Sequence, residues 1–563
     1  MMQRPPAMES LDERVSYLSS VNPIKSAVEF QAVKTPELEG GALREGPAPV
    51  LWSRECLGLL AQYCAIGLVY GTLPGTVYPF MSFYLNMEGT QTMAAYALLS
   101  LPWSFKFLFG FISDCFPIMG YRRRPYMLLG WIICVIGLVS LVFIDPGKPY
   151  WVKPEYAYDS EYIMAADKDL LGPNITNPSA KRGGAKFIVL LALATFGAII
   201  SGVASDAIVC EFAQREPEAV RGTTQTAIYC ARTIFQVVAN VLSGFFFNGK
   251  AYGGDYDFTL SFPQLMLVVT FFVLPLVPIT WGCIPEQRVA PVNLREYFSD
   301  FWELLQSEVM YTVMAYQFFS TVFTSSTWVA QAPVMMYWIG VTNLNEKLSG
   351  IVGSGVFVAT LWMTGRYGLH WDWRYMTGLS TVLCVAIDCT VGLLAVWDIV
   401  RNQWFWLGMP IVGLVPNGIS FIISTFVVVE LAGLGNEGIV YGLVTTVSNL
   451  GSPLGRTISR QLNALFDISN DVIQTDSNDV RWQVTYTVLI ANGMMLLSLC
   501  CLVLLPRQKA ETQYLRLHGR RSKIMAVVTI CYVFFGISWA LLVNILAIFP
   551  STACLRIAGG QGC

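Results

Sequence analysis

Apolar runs of about membrane-spanning length recur along this chain, broken by shorter polar stretches. They fall at 56–82, 91–113, 125–145, 187–212, 223–247 and 259–283, then at 309–335, 346–364, 375–398, 404–430, 436–455 and 482–505. About 20 apolar residues cross the hydrocarbon layer as a helix. Backbone polar groups in that layer must be satisfied within the segment, so each run predicts a transmembrane helix. The twelve form two sets of six, separated by a polar stretch at 284–308. A thirteenth run, 524–549, is equally apolar and predicts an extra C-terminal helix, either crossing the membrane or lying along it. The expected fold class is an all-α polytopic membrane protein made of two six-helix bundles, the plan of alternating-access carriers.

The segments between the runs complete the domain plan. Residues 1–50 are polar and proline-containing and are expected to form a flexible cytoplasmic extension, which leaves the first span to direct insertion. The N-terminal bundle takes 51–283, with a long extracellular loop at 146–186, and the C-terminal bundle takes 309–506. Between them, Leu294, Tyr297, Phe298, Phe301, Trp302 and Leu305 recur at helical spacing. That pattern predicts an amphipathic linker helix at the membrane surface within 284–308, or else a continuation of span 7. A basic cytoplasmic segment at 507–523 precedes the thirteenth run, and a tail at 550–563 follows it.

Composition agrees. Hydrophobic residues make up 54% of the 563 and charged residues only 13%, against roughly a quarter charged in soluble domains. Disorder needs few apolar residues and is excluded. With 36 basic against 38 acidic residues and a net charge of −2, there is no basic field for nucleic acid. The lipid bilayer is the partner this composition demands. The chain contains no CxxC pair, phosphate loop or metal-ligand spacing, and its two histidines, His370 and His518, have no ligand set. No cofactor, no metal and no enzymatic activity are expected. Cys64, Cys134, Cys230 and Cys384 lie in apolar runs, where cysteine behaves as a small hydrophobe. Cys554 and Cys563 would pair only in an oxidising space.

Arginine and lysine orient the spans. With the N-terminus inside, the cytoplasmic loops receive Arg122, Arg123 and Arg124, then Arg215 and Arg221, Arg288 and Arg295, and Arg366 and Arg374. The opposite side has Lys250, Lys347 and Arg401 in its short loops, and the Asn174-Ile175-Thr176 sequon would face the glycosylating compartment. Without a recognisable organellar leader, the expected location is the plasma membrane, with an organellar membrane as the alternative.

The connection between spans 2 and 3 is the most informative stretch. It reads Lys106-Phe107-Leu108-Phe109-Gly110-Phe111-Ile112-Ser113-Asp114, then Pro117, Gly120, Arg122-Arg123-Arg124 and Pro125. Gly110 permits a close helix approach four residues before Asp114. Asp114 can accept hydrogen bonds from the start of a neighbouring helix, whose dipole favours a carboxylate. The arginine triplet anchors the turn among headgroups. Together these residues predict a gating latch made of Gly110, Asp114, Arg122, Arg123 and Arg124.

That stretch resembles the signature of the folate–biopterin transporter family, a branch of the major facilitator superfamily. Further matches are Ser205 to Glu211 in span 4, Gln225 to Arg232 in span 5 and Ser448 to Ser452 in span 11, and the similarity extends over most of residues 50–506. The long loop at 146–186 and the run at 524–549 depart from the family's commoner form. The resemblance implies a secondary active transporter that moves folate or a related pteridine by alternating access. Carboxylates within the spans add the expectation of proton coupling (symport), and the chain is expected to act as a monomer. Three alternatives stay open: the same fold carrying another anionic or zwitterionic metabolite (S-adenosylmethionine-like or an amino acid), a non-transporting receptor, and a protein partner bound through loop 146–186.

Ionisable groups inside the hydrocarbon layer default to function. Arg232, near the middle of span 5, is expected either to meet the substrate or to be neutralised by Asp206 or another carboxylate. Lys106 in span 2 faces the same choice. Asp206 and Glu211 in span 4 are the candidates for a protonatable coupling group, Glu211 alternatively being a solvated helix end. Asp388, alone on span 9, faces the cavity or an unidentified basic partner. A flat donor- and acceptor-rich ring with a carboxylate wants stacking faces, amides and a cation. Tyr63 and Tyr70 of span 1, Gln317 of span 7 and Asn417 of span 10 are the expected suppliers, on the first and fourth helices of each half.

Overall fold

The computed structural model describes residues 41–87, 89–157, 171–254, 256–289, 293–328, 330–341, 343–432, 436–463, 465–468, 472–473 and 475–548, with a few positions beyond. Residues 1–40, 158–170 of the long loop, Cys554, Cys563 and most of the tail lie outside that set.

The chain is nearly all helix, and among the described residues extended structure is limited to isolated bridges. Span 1 runs Arg54–Tyr84, ending in a π-helical turn, and span 3 is Arg124–Phe143. Span 4 is Gly184–Arg215, span 5 Thr223–Phe246 and span 6 Phe262–Cys283. Span 2 is broken. Helix Gly89–Ser100 gives way to a 3-10 turn, Leu101–Phe105, and helix resumes at Lys106–Cys115. Pro102 lies in that turn and has no N–H to continue the ladder, and Lys106 opens the second half of the span.

In the C-terminal half the spans are Glu308–Thr324, Asn343–Tyr367, Trp373–Val396, Gln403–Leu431, Glu437–Asn463 and Asn478–Leu504. A linker helix, Leu294–Gln306, joins the halves. Past span 12 a short strap helix, Lys509–His518, leads into span 13, Lys523–Ile548. Among the described residues, ten helices are long and apolar enough to cross a membrane. Span 7 is shorter than its apolar run and span 11 longer, for one reason. The backbone is freed at Ser325–Thr327, where the Ser459 hydroxyl accepts from the Thr327 N–H and donates to the Thr327 carbonyl, both at 3.1 Å. Span 11 runs beyond its apolar stretch and supplies that side chain.

Three buried apolar clusters define where the halves meet. One contains Tyr63, Val209 and Ile228 from the N-terminal half together with Val313, Phe426 and Val440 from the C-terminal half. The second, around Leu73, Trp131 and Leu191, belongs to the N-terminal half alone. The third, around Trp328, Trp406 and Val484, belongs to the C-terminal half. The shared cluster lies at the end carrying the 116–123 turn, here called the base. The separate clusters lie toward the opposite end, the mouth. The bundles are therefore joined at the base and part toward the mouth. At the mouth, loop residues Tyr150 and Trp151 are buried, and the Tyr150 N–H donates to the Tyr84 carbonyl at 2.8 Å.

Candidate functional site

A cavity of about 530 Å³ lies between the bundles, above the shared cluster. From the N-terminal half it is lined by Tyr70, Trp103, Lys106, Asp206, Arg232 and Gln236. Gly67 sets the depth of Arg232: a Cβ there would stand 3.0 Å from the Arg232 carbonyl carbon, so only glycine lets span 1 pack this close to span 5.

The charges in the cavity are unequally partnered. Lys106 Nζ lies 3.6 Å from Asp206 Oδ2 and 4.5 Å from the centroid of Trp103. The Tyr63 hydroxyl donates to Asp206 Oδ1. Asp206 is thus held from two sides. Arg232 stands 4.8 Å over the Tyr229 ring and 5.5 Å over Phe421 of span 10, positions that favour a cation. Its Nε is buried without a hydrogen-bond acceptor. Beneath the cavity the hydroxyls of Tyr229 and Tyr441 meet across the two halves.

The residues singled out from the sequence fall into three places. Tyr70, Lys106, Asp206, Arg232, Gln317 and Asn417 all line this cavity. Tyr63 stands behind it as the donor to Asp206. Asp388 is off the cavity, within the C-terminal bundle, accepting from Asn492 Nδ2 at 2.8 Å. Glu211 sits at the base, 3.2 Å from Arg44 and 3.6 Å from Arg123.

At the base, Asp114 is fully buried and Arg123 nearly so. Arg123 Nη1 lies 2.5 Å from Asp114 Oδ1, and its Nη2 lies 3.3 Å from Glu437 Oε2. Asp114 Oδ2 accepts from the Ile439 N–H at 2.7 Å, at the N-terminus of span 11, and from the Tyr297 hydroxyl of the linker helix at 3.2 Å. One carboxylate thereby ties span 2, span 11 and the linker together. Gly110 makes this possible, since a Cβ there would stand 2.6 Å from the Gly438 carbonyl carbon and closer still to its oxygen. Arg122 and Arg124 act differently from Arg123. Their backbone N–H groups, with that of Arg123, are capped by Glu286, and the Arg124 guanidinium stacks on Tyr121 and Trp281.

Further bonds close the base. Arg44, in the segment before span 1, donates to Glu437 at 2.6 Å. Arg221 pairs with Glu430 of span 10 at 2.7 Å. From the strap helix, Lys509 Nζ donates to the Arg221 carbonyl at 2.6 Å, and Gln513 donates to Glu430 Oε2 at 2.6 Å. Burial lowers the Lys509 pKa from the usual lysine range to about 8. Arg44, Glu286 and Glu437 belong to no motif in the sequence. Only Glu437 carries a local signal, an acid in the first turn of a helix.

Two six-helix bundles around a polar, partly charged cavity, sealed at one end by ion pairs, have the fold of the major facilitator superfamily. The structure is similar to that of the proton:xylose symporter XylE, with a TM-score of 0.55 at 13% identity, covering 84% of this chain and 98% of that one. The sequence profile of the BT1 family matches residues 67–150 and 179–544, and the chain belongs to that family. It is 23% identical over 483 residues to the folate-biopterin transporter of Synechocystis sp., covering 82% of this chain and 83% of the relative. It is also 46% identical over 46 residues to folate transporter 1 of Plasmodium falciparum, covering 8% of this chain and 9% of that one.

Proposed function

We propose that this transporter moves folate or a related pteridine by alternating access, and that a proton moves with it. The observation that carries the reading is Arg232, a guanidinium facing a cavity of ligand size with no acid paired to it among the described residues. Ligand cavities typically run from about 300 to 1,000 Å³, and this cavity lies within that range. The name of the Synechocystis relative points to the same cargo. In this reading the substrate carboxylate takes a bidentate place on Arg232, and Tyr70, Gln317 and Asn417 meet the ring. Asp206 takes up the proton later in the cycle, and only then is Lys106 released to join Arg232 on the one substrate carboxylate.

The same reading assigns the base to the cytoplasmic side, so that the described state opens outward. Gly110, Asp114 and Arg123 act as the gate, with Arg122 and Arg124 positioning its turn. Glu211 is a second acid that titrates only when the gate opens. The carrier works as a monomer in the plasma membrane, with the exposed turn at Asn174 glycosylated. Asp388, off the cavity, would influence transport through the packing of spans 9 and 12.

The test is uptake of radiolabelled folic acid into proteoliposomes, with and without an inward proton gradient. Accumulation that rises with the gradient, is suppressed by unlabelled pterin and falls at least about tenfold in Arg232→Ala is the expected result. Gradient-independent uptake removes proton coupling. No uptake by a folded preparation removes the pteridine as cargo.

A further inference from the structure

Among the described residues, every charged side chain lining the cavity comes from the N-terminal bundle: Lys106, Asp206 and Arg232. The C-terminal wall contributes hydroxyls and amides instead, among them Gln317, Thr377, Ser424 and Asn449. For Gln317, Ser424 and Asn449 no hydrogen bond is found among the described residues. These groups are free to meet a ligand. The charge sum of the lining is two cations against one carboxylate. Two of the three are committed to each other, because Lys106 holds Asp206 at 3.6 Å and Tyr63 fixes Asp206 from behind. Among the described residues one cation of the lining, Arg232, remains.

We infer that the cavity selects solutes with a single anionic group and an uncharged, hydrogen-bonding end, the anion on Arg232 and the neutral end on the wall formed by spans 7, 9, 10 and 11. A second carboxylate on the same solute finds no cation. To recruit Lys106 it must strip Asp206 of its partner, which leaves an uncompensated buried carboxylate and costs more than the new pair returns. Apart from that exchange the second carboxylate faces only neutral hydroxyls, which stabilise an anion far less than a guanidinium does. This inference rests on the pteridine reading and adds to it a rule for which pteridines are held best. Pteroate, with one carboxylate, is held more tightly than folate, with two, and more tightly than pterin, with none.

The experiment is equilibrium competition against radiolabelled pteroate on the purified full chain in lipid nanodiscs, using unlabelled pterin, pteroate and folate. Pteroate is expected to bind about tenfold or more tightly than either of the others. In Asp206→Asn, where Lys106 is released, the pteroate-to-folate ratio is expected to fall several-fold toward unity. Arg232→Gln is expected to bring pteroate down to the level of pterin, and Arg232→Lys, which keeps the charge, to restore part of the difference. Thermal unfolding of each variant verifies that it is folded. Binding of all three pteridines with equal affinity, or a ratio unmoved by Asp206→Asn, overturns the inference and leaves the pteridine reading standing. Absence of binding by any of the three to folded wild-type chain overturns both.

Discussion

Replacing Gly110 by alanine puts one methyl group at the tightest helix contact of the base. Its carbon would stand 2.6 Å from the Gly438 carbonyl carbon, 3.1 Å from the Ile439 nitrogen and closer still to the Gly438 oxygen. The obstacle on every side is backbone, so no side chain can swing away, and spans 2 and 11 must part by about 1 Å to reach ordinary contact distances. That displacement stretches the 2.7 Å bond from the Ile439 N–H to Asp114 beyond hydrogen-bonding range. A bond to a charged acceptor contributes about 1.5–3 kcal/mol, and overpacking adds about 1–3 kcal/mol. Alanine returns at most about 1 kcal/mol through helix propensity. The net penalty on the closed base is about 1.5–5 kcal/mol, a shift of at least roughly tenfold toward states in which spans 2 and 11 have separated. Cys210, fully buried in the shared cluster, reports it. In a chain retaining only that cysteine, Gly110→Ala should raise its maleimide labelling rate steeply. Gly355→Ala, where an added Cβ meets nothing within 4 Å, should leave the rate unchanged. Equal labelling in the two variants would refute the role given to this contact.

Other expectations can be checked with the same tools. Arg44→Ala removes the bridge from Glu211 to Glu437. Because the guanidinium is partly exposed, the loss should be modest, about 0.5–1 kcal/mol, read as a several-fold rise in Cys210 labelling that high salt reproduces in the wild type. Lys509 has its native pKa lowered to about 8, below its unfolded value of about 10.4. The unfolded chain therefore binds more protons between those values, and stability rises with pH across that window. The melting temperature of the wild type should climb relative to Lys509→Met from about pH 8 to about pH 10. A constant difference would show that the lysine does not titrate there.

Much of this molecule was legible before any contact was known. The spans follow from local composition, since a helix of apolar residues long enough to cross the bilayer satisfies its own backbone wherever its neighbours lie. The Gly110-to-Arg124 stretch was legible because a tight turn, a close helix approach and a capping acid each need a particular residue type within a few positions. Ionisable residues inside apolar runs could likewise be marked as costly and therefore in need of a partner. Which partner each one has depends on contacts hundreds of residues apart, and composition along the chain carries no trace of those. Arg123 meets Glu437 across 314 positions, and Tyr63 meets Asp206 across 143. Lys106, Arg232 and Asp388 look alike in the sequence, as isolated charges on apolar helices. Only the packing of the two bundles gives Lys106 an acid, turns Asp388 to Asn492 within its own half and leaves Arg232 facing an open cavity. The pairing of a buried charge is decided by which helices stand beside it, and that is a property of the assembled bundle alone.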